Sequence, residues 1–150
     1  MTVMRTSLHG RRLGLGDQNQ LVSNGVEISR PCVDATVTVG DEDTNVRAIT
    51  IQLKDALGND IEYAETVEVI LFADAAKAAF VATGGSTGIA IGTDGALLAV
   101  VAKKYFLAVS ETDGDIDLTW TDTGTEAAYI GVRLPNGRIV MGSQALTNAA

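Results

Sequence analysis

From Val33 onward the chain takes up a period of two, and that pattern restricts it to β structure. Val33, Ala35, Val37 and Val39 alternate with Asp34, Thr36 and Thr38. Such alternation gives a strand one apolar and one polar face. Gly40-Asp41-Glu42-Asp43 reads as a break. Ile49, Ile51 and Leu53 then alternate with Thr50, Gln52 and Lys54, and Val67, Val69 and Leu71 repeat the pattern. Further strands are predicted at Ile89–Gly92, Ala96–Ala102, from Tyr105 to Val109, across Ile116, Leu118 and Trp120, and at Ala127–Leu134 and Arg138–Met141.

Turn chemistry separates these runs. Gly58-Asn59, Asp94-Gly95, Asp113-Gly114 and Asn136-Gly137 supply residues that accept the positive φ of tight turns. Thr93-Asp94-Gly95 and Pro135-Asn136-Gly137 read as hairpins. The alanine-rich stretch from Asp74 to Phe80 is the one candidate helical turn, too short to stand without tertiary support. Eight or nine short strands at this spacing predict two antiparallel sheets packed face to face. A core of Val, Ile, Leu and Ala, with aromatics at 5%, suits stacked sheets.

The first thirty residues differ in kind. They carry Arg5, Arg11, Arg12 and Arg30 against Asp17 and Glu27, a net of +2 within a chain whose total is -8. The remainder is strongly acidic. Leu8, Leu13, Leu15, Leu21 and Val22 add apolar anchors to this basic segment. The layout predicts an extended docking arm over residues 1–32 and one β domain over 33–150. Candidate partner contacts are Arg5, Leu8, Arg11, Arg12, Leu13 and Leu15.

The acidic balance argues against nucleic acid as the main partner, because duplex binding relies on Lys and Arg neutralising phosphates. No apolar run approaches the roughly 18 residues that span a bilayer, and no secretory leader is expected, so no membrane partner is assigned. Cys32 is the only cysteine and reads as a small buried hydrophobe.

The remaining motifs give little chemistry. The acidic run from Glu111 to Asp117 is the best candidate for a hard cation, but its glycine is misplaced for a calcium loop, and it reads as an acidic hairpin turn. Gly84-Gly85-Ser86-Thr87-Gly88 lacks the Gly-Lys-Ser/Thr ending of a phosphate loop. His9, the one histidine, has no nucleophile paired with it in sequence. Trp120 and Tyr129 could form a sugar-stacking platform, although Trp120 shares the parity of Ile116 and Leu118 and so reads as core. No enzyme activity and no cofactor are expected.

Several segments resemble the bacterial immunoglobulin-like modules of adhesins and phage structural proteins. Ile51-Gln52-Leu53-Lys54-Asp55-Ala56-Leu57-Gly58-Asn59-Asp60-Ile61 is similar to their strand–turn element, and Val67-Glu68-Val69-Ile70-Leu71 to the strand that follows. Thr93-Asp94-Gly95-Ala96 resembles one of their turns, shortened by one residue. Thr123-Gly124-Thr125 leading into Ala127–Leu134 resembles the closing strand. Together these cover roughly residues 33–148. Separately, the run from Arg5 to Leu15 (RTSLHGRRLGL) resembles an opening segment that recurs in virion proteins of tailed bacteriophages.

The resemblance implies an immunoglobulin-like sandwich on a phage particle, made in the host cytoplasm. The leading expectation is a capsid decoration or cement protein on the shell exterior. Its arm would bind the major capsid protein or another virion protein, and it would form a homo-oligomer, with a trimer favoured. The alternative is a tail-fibre or surface module that binds a receptor or carbohydrate.

Overall fold

The computed structural model describes the backbone of residues 6–8, 11–15, 21–23 and 26–149, and side chains from residue 30 to residue 149. The chain divides into two compact units, Met1–Pro31 and Cys32–Ala150. In the first, β1 (Thr6–Leu8), β2 (Arg11–Leu15), β3 (Leu21–Ser23) and β4 (Val26–Ser29) pair antiparallel in chain order.

The second unit is an all-β antiparallel sandwich. One sheet has the order β5-β6-β11-β8, built from Asp34–Asp43, Val46–Lys54, Asp115–Thr121 and Gly88–Ile91. The other has the order β13-β12-β7-β10-β9, from Ile139–Met141, Tyr129–Arg133, Thr66–Phe72, Tyr105–Val109 and Ala96–Val101. An immunoglobulin-like arrangement is compatible with this topology.

Alternation places the core as expected. Val37, Val39, Ile49, Ile51 and Leu53 from one sheet meet Val67, Val69, Leu71, Phe106, Ala108, Ile130 and Val132 from the other, all buried. Ile116, Leu118 and Trp120 line the same interior from β11. Each buried aliphatic side chain contributes about 1.5–3 kcal/mol relative to exposure, so the driving force lies in this double layer.

Three local expectations are corrected. Asp74–Phe80 forms no helical turn: Lys77 N–H closes a single turn on the Asp74 carbonyl at 3.2 Å, with Lys77 at φ 63°. Thr93-Asp94-Gly95 is no hairpin. It carries the chain between sheets, since β8 pairs with β11 whereas β9 pairs with β10. Gly40-Asp41 is a bulge within β5, where the register with β6 shifts between Val39 and Glu42. The β5–β6 turn falls instead at Thr44-Asn45, with φ of 52° and 66°, the left-handed pair that matches the twist of a two-residue hairpin.

The C-terminal segment closes one side of the sandwich. Beyond β13, Ser143 N–H donates to the Val37 carbonyl at 2.9 Å, and Ser143 Oγ accepts from Val39 N–H. Gln144 Nε2 donates to the Val39 carbonyl at 2.8 Å. This covers the free edge of β5, and among the described residues no equivalent segment covers β9.

Candidate functional site

Three places in the sandwich concentrate polar chemistry. The first is carboxylate-lined. Asp94, in the β8–β9 connection, and Asp115 and Asp117, on β11, bring carboxylate oxygens within 4.8 Å of one another. Asp117 is tethered on both oxygens, accepting from Thr50 Oγ1 at 3.0 Å and Thr93 Oγ1 at 2.5 Å. Asp115 Oδ1 is buried without a hydrogen-bond partner. Burial, then the negative charge of Asp117, with smaller contributions from Asp113 and Asp94, pushes the Asp115 carboxyl above its usual range. The three carboxylates could contribute to a hard-cation site, but three side-chain ligands are half or fewer of the six to eight oxygens calcium takes. Asp115 and Asp117 alternate with buried Ile116 and Leu118, as the sequence indicated. The participation of Asp94 depends on the sheet crossover, which local sequence does not show.

The second is the glycine loop at 84–88. Its amides are already engaged by an internal anion: Glu126 accepts from the N–H groups of Thr83, Gly84 and Gly85 at 2.8, 2.9 and 2.9 Å, and from the Thr83 hydroxyl at 2.5 Å. Burial disfavours the Glu126 charge, yet these hydrogen bonds outweigh it and hold its carboxyl below the ordinary value. Buried Asp122 accepts from Ser86 N–H at 2.9 Å. Lys103 Nζ donates to the carbonyls of Gly85 and Ser86 at 3.2 and 2.7 Å. A phosphate at these amides would have to displace Glu126, so the loop is a structural clamp. Gly85 fits there because a Cβ would stand 2.8 Å from Trp120 Cη2, at a φ of +77°.

The third is the aromatic pair. Trp120 is fully buried, which removes it as a sugar-stacking surface. Tyr129 is half-buried at a shallow cleft of about 220 Å³ shared with Ala75, Met141, Gly142 and Gln144. That is below the roughly 300–1,000 Å³ of ligand pockets.

Cys32 is buried, with burial the main cause raising its thiol pKa, and it packs as a small hydrophobe. Among the sequence-predicted partner contacts, Leu8 ends β1, and Arg11, Arg12, Leu13 and Leu15 lie on β2, where backbone register pairs Leu8 with Arg11 and Ser7 with Arg12. Arg5 and His9 lie outside the described residues. Among the described residues, no helix is long and apolar enough to cross a membrane. Comparison with protein-family models, curated proteins and solved structures finds no match.

Proposed function

We propose that the chain is a structural protein of a tailed-phage virion, a decoration or cement protein on the capsid exterior. One observation carries the reading: the chain divides at Pro31 into two compact units, and the basic one bears the Arg5–Leu15 segment that resembles phage virion openings. Unlike charge gives the two units different tasks. The basic unit supplies Arg5, Arg11 and Arg12 for acidic patches on a major capsid protein or another virion protein, and Leu8, Leu13 and Leu15 for apolar grooves. The acidic sandwich projects outward. The carbohydrate-binding alternative loses its platform with the burial of Trp120.

The test is rebinding to undecorated particles. Replacing Arg5, Arg11 and Arg12 together with alanine removes charge-assisted hydrogen bonds worth about 1.5–3 kcal/mol each when partly buried. Affinity should fall at least about a hundredfold even after discounting for solvent screening. A triple variant that decorates particles as well as the parent places the contact on the sandwich and overturns the docking role.

A further inference from the structure

Residues 96–102 read Ala-Leu-Leu-Ala-Val-Val-Ala, a strand-length run with no charge and no proline. Such a run normally fills a sheet interior, buried on both faces. Here Ala96–Val101 forms β9, the edge strand, paired among the described residues with β10 alone. Leu98, Val100 and Val101 are 64%, 51% and 43% exposed, and neighbouring Val109 is 39% exposed. Natural edges are usually blunted by lysine, proline, shortness or a covering segment. The other edges follow that rule: β5 is covered by Ser143 and Gln144, and β8 and β13 span four and three residues. The six residues of β9 carry no lysine, no proline and, among the described residues, no covering segment; their one irregularity is a bulge at Val100, where the register with β10 shifts.

The ends of the strand differ in charge. Where β9 begins stand Asp94 and, at the far end of neighbouring β10, exposed Glu111 and Asp113. Where β9 ends, the turn into β10 carries Lys103 and Lys104. An antiparallel copy of the same strand, related by a two-fold axis, sets the lysine end of each chain beside the acidic end of the other. The apolar centres coincide around Leu98. The surface is therefore complementary to itself, as an isologous contact requires, although the sandwich as a whole is acidic and repels its own copies elsewhere.

We infer that β9 is an assembly edge on which a second copy of this chain pairs its own β9 antiparallel, continuing the five-stranded sheet into one of ten strands across the dimer. The outward backbone groups of β9, unpaired among the described residues, supply the ladder, Leu98 and Val100 the apolar contact, and Lys104 against Asp94 the orientation. The dimer needs no particle, so it stands or falls independently of the capsid reading. A two-fold contact makes dimers, and the trimer expected from the resemblance would require another surface.

The experiment is sedimentation equilibrium of the full chain across a concentration series, beside Leu98→Lys, Lys104→Glu and the double variant Lys104→Glu/Asp94→Lys. Circular dichroism melts confirm that each variant is folded. The expected result is a parent dimer, at least a tenfold weaker dimer for each single variant, and recovery in the double charge swap. Under mild oxidation, Leu98→Cys should form a disulfide-linked dimer. A parent that stays monomeric throughout the series overturns the inference, and so does one that associates only with a different protein. A dimer equally strong in folded Leu98→Lys, or a charge swap that restores nothing, also overturns it.

Discussion

Arg47 Nε donates to Asn148 Oδ1 at 3.1 Å, joining β6 to the C-terminal segment across 101 positions of sequence. The same guanidinium donates to the carbonyls of Thr147 at 2.6 Å and Gly40 at 3.0 Å. Asn148 is itself buried, and its Nδ2 donates to the carbonyls of Asn45 at 2.7 Å and Asp122 at 2.9 Å. One side chain thus fastens the β5–β6 hairpin, the end of β11 and the chain terminus to one another.

Asn148→Ala should therefore destabilise the sandwich beyond the usual cost of a terminal substitution. It removes the Asn148 donor from the Asp122 carbonyl and the acceptor from Arg47 Nε, while the Asn45 carbonyl keeps Asp122 N–H, and leaving buried polar groups unsatisfied costs about 1–3 kcal/mol. Urea unfolding with an unchanged slope should show a lower midpoint. A loss below about 0.5 kcal/mol, the range of ordinary surface substitutions, would mean that the terminus frays freely.

Glu126 gives a pH-dependent expectation. Its carboxyl is held below the ordinary value in the fold, so its stabilisation is fully present above the unfolded carboxylate pKa. It is lost as pH falls through the folded value. Glu126→Gln cannot accept as strongly from Thr83, Gly84 and Gly85, and should lower stability at neutral pH by about 1–2 kcal/mol. The gap between parent and variant should narrow under acid. Melting curves at neutral pH and near pH 3 test this, and a gap that stays constant would assign the effect to packing rather than charge.

Asp115 has the opposite sign. A carboxyl whose folded pKa is raised, here by burial and the adjacent Asp117, Asp113 and Asp94, stabilises the fold when protonated. That stabilisation is lost as pH rises through the folded value. Asp115→Asn removes the buried charge at neutral pH, and its melting temperature should exceed that of the parent there. The advantage should shrink as pH falls and the parent protonates. An Asn variant that melts below the parent at neutral pH would show that the ionised carboxylate is needed by a group that supports the fold.

The strands were legible in the sequence because each inward position is set by its neighbours two residues away: Ile49, Ile51 and Leu53 declare their face without reference to the rest of the chain. Trp120 was readable as core by the same parity. Pairing was not readable. Asp94-Gly95 has hairpin chemistry, yet β8 pairs with β11, where buried Ile89 stands beside buried Trp120, and the turn becomes a crossover. The Asp94–Asp115–Asp117 cluster inherits that opacity, since Asp94 approaches β11 only through the crossover. Glu126 lies in a loop, and its role was not legible because its partners, the amides of 83–85, are backbone groups that leave no mark in composition. The bareness of β9 was equally hidden: Ala96–Ala102 has the composition of a central strand, and only the sheet order puts it at an edge.

The last expectation concerns the division at Pro31. The sandwich core consists of residues from Cys32 to Leu146, and its sheets draw all their strands from Asp34 onward. A chain lacking residues 1–31 should then retain a β-type circular dichroism spectrum and a single cooperative melt, since one closed hydrophobic core is what two-state unfolding reflects. Its transition should stay within a few degrees of the parent's, while binding to undecorated particles is lost. A truncated chain with a helical spectrum would contradict the fold. One with no transition would show that the N-terminal strands are part of the folding unit, and the basic segment could then not act as a separate docking element.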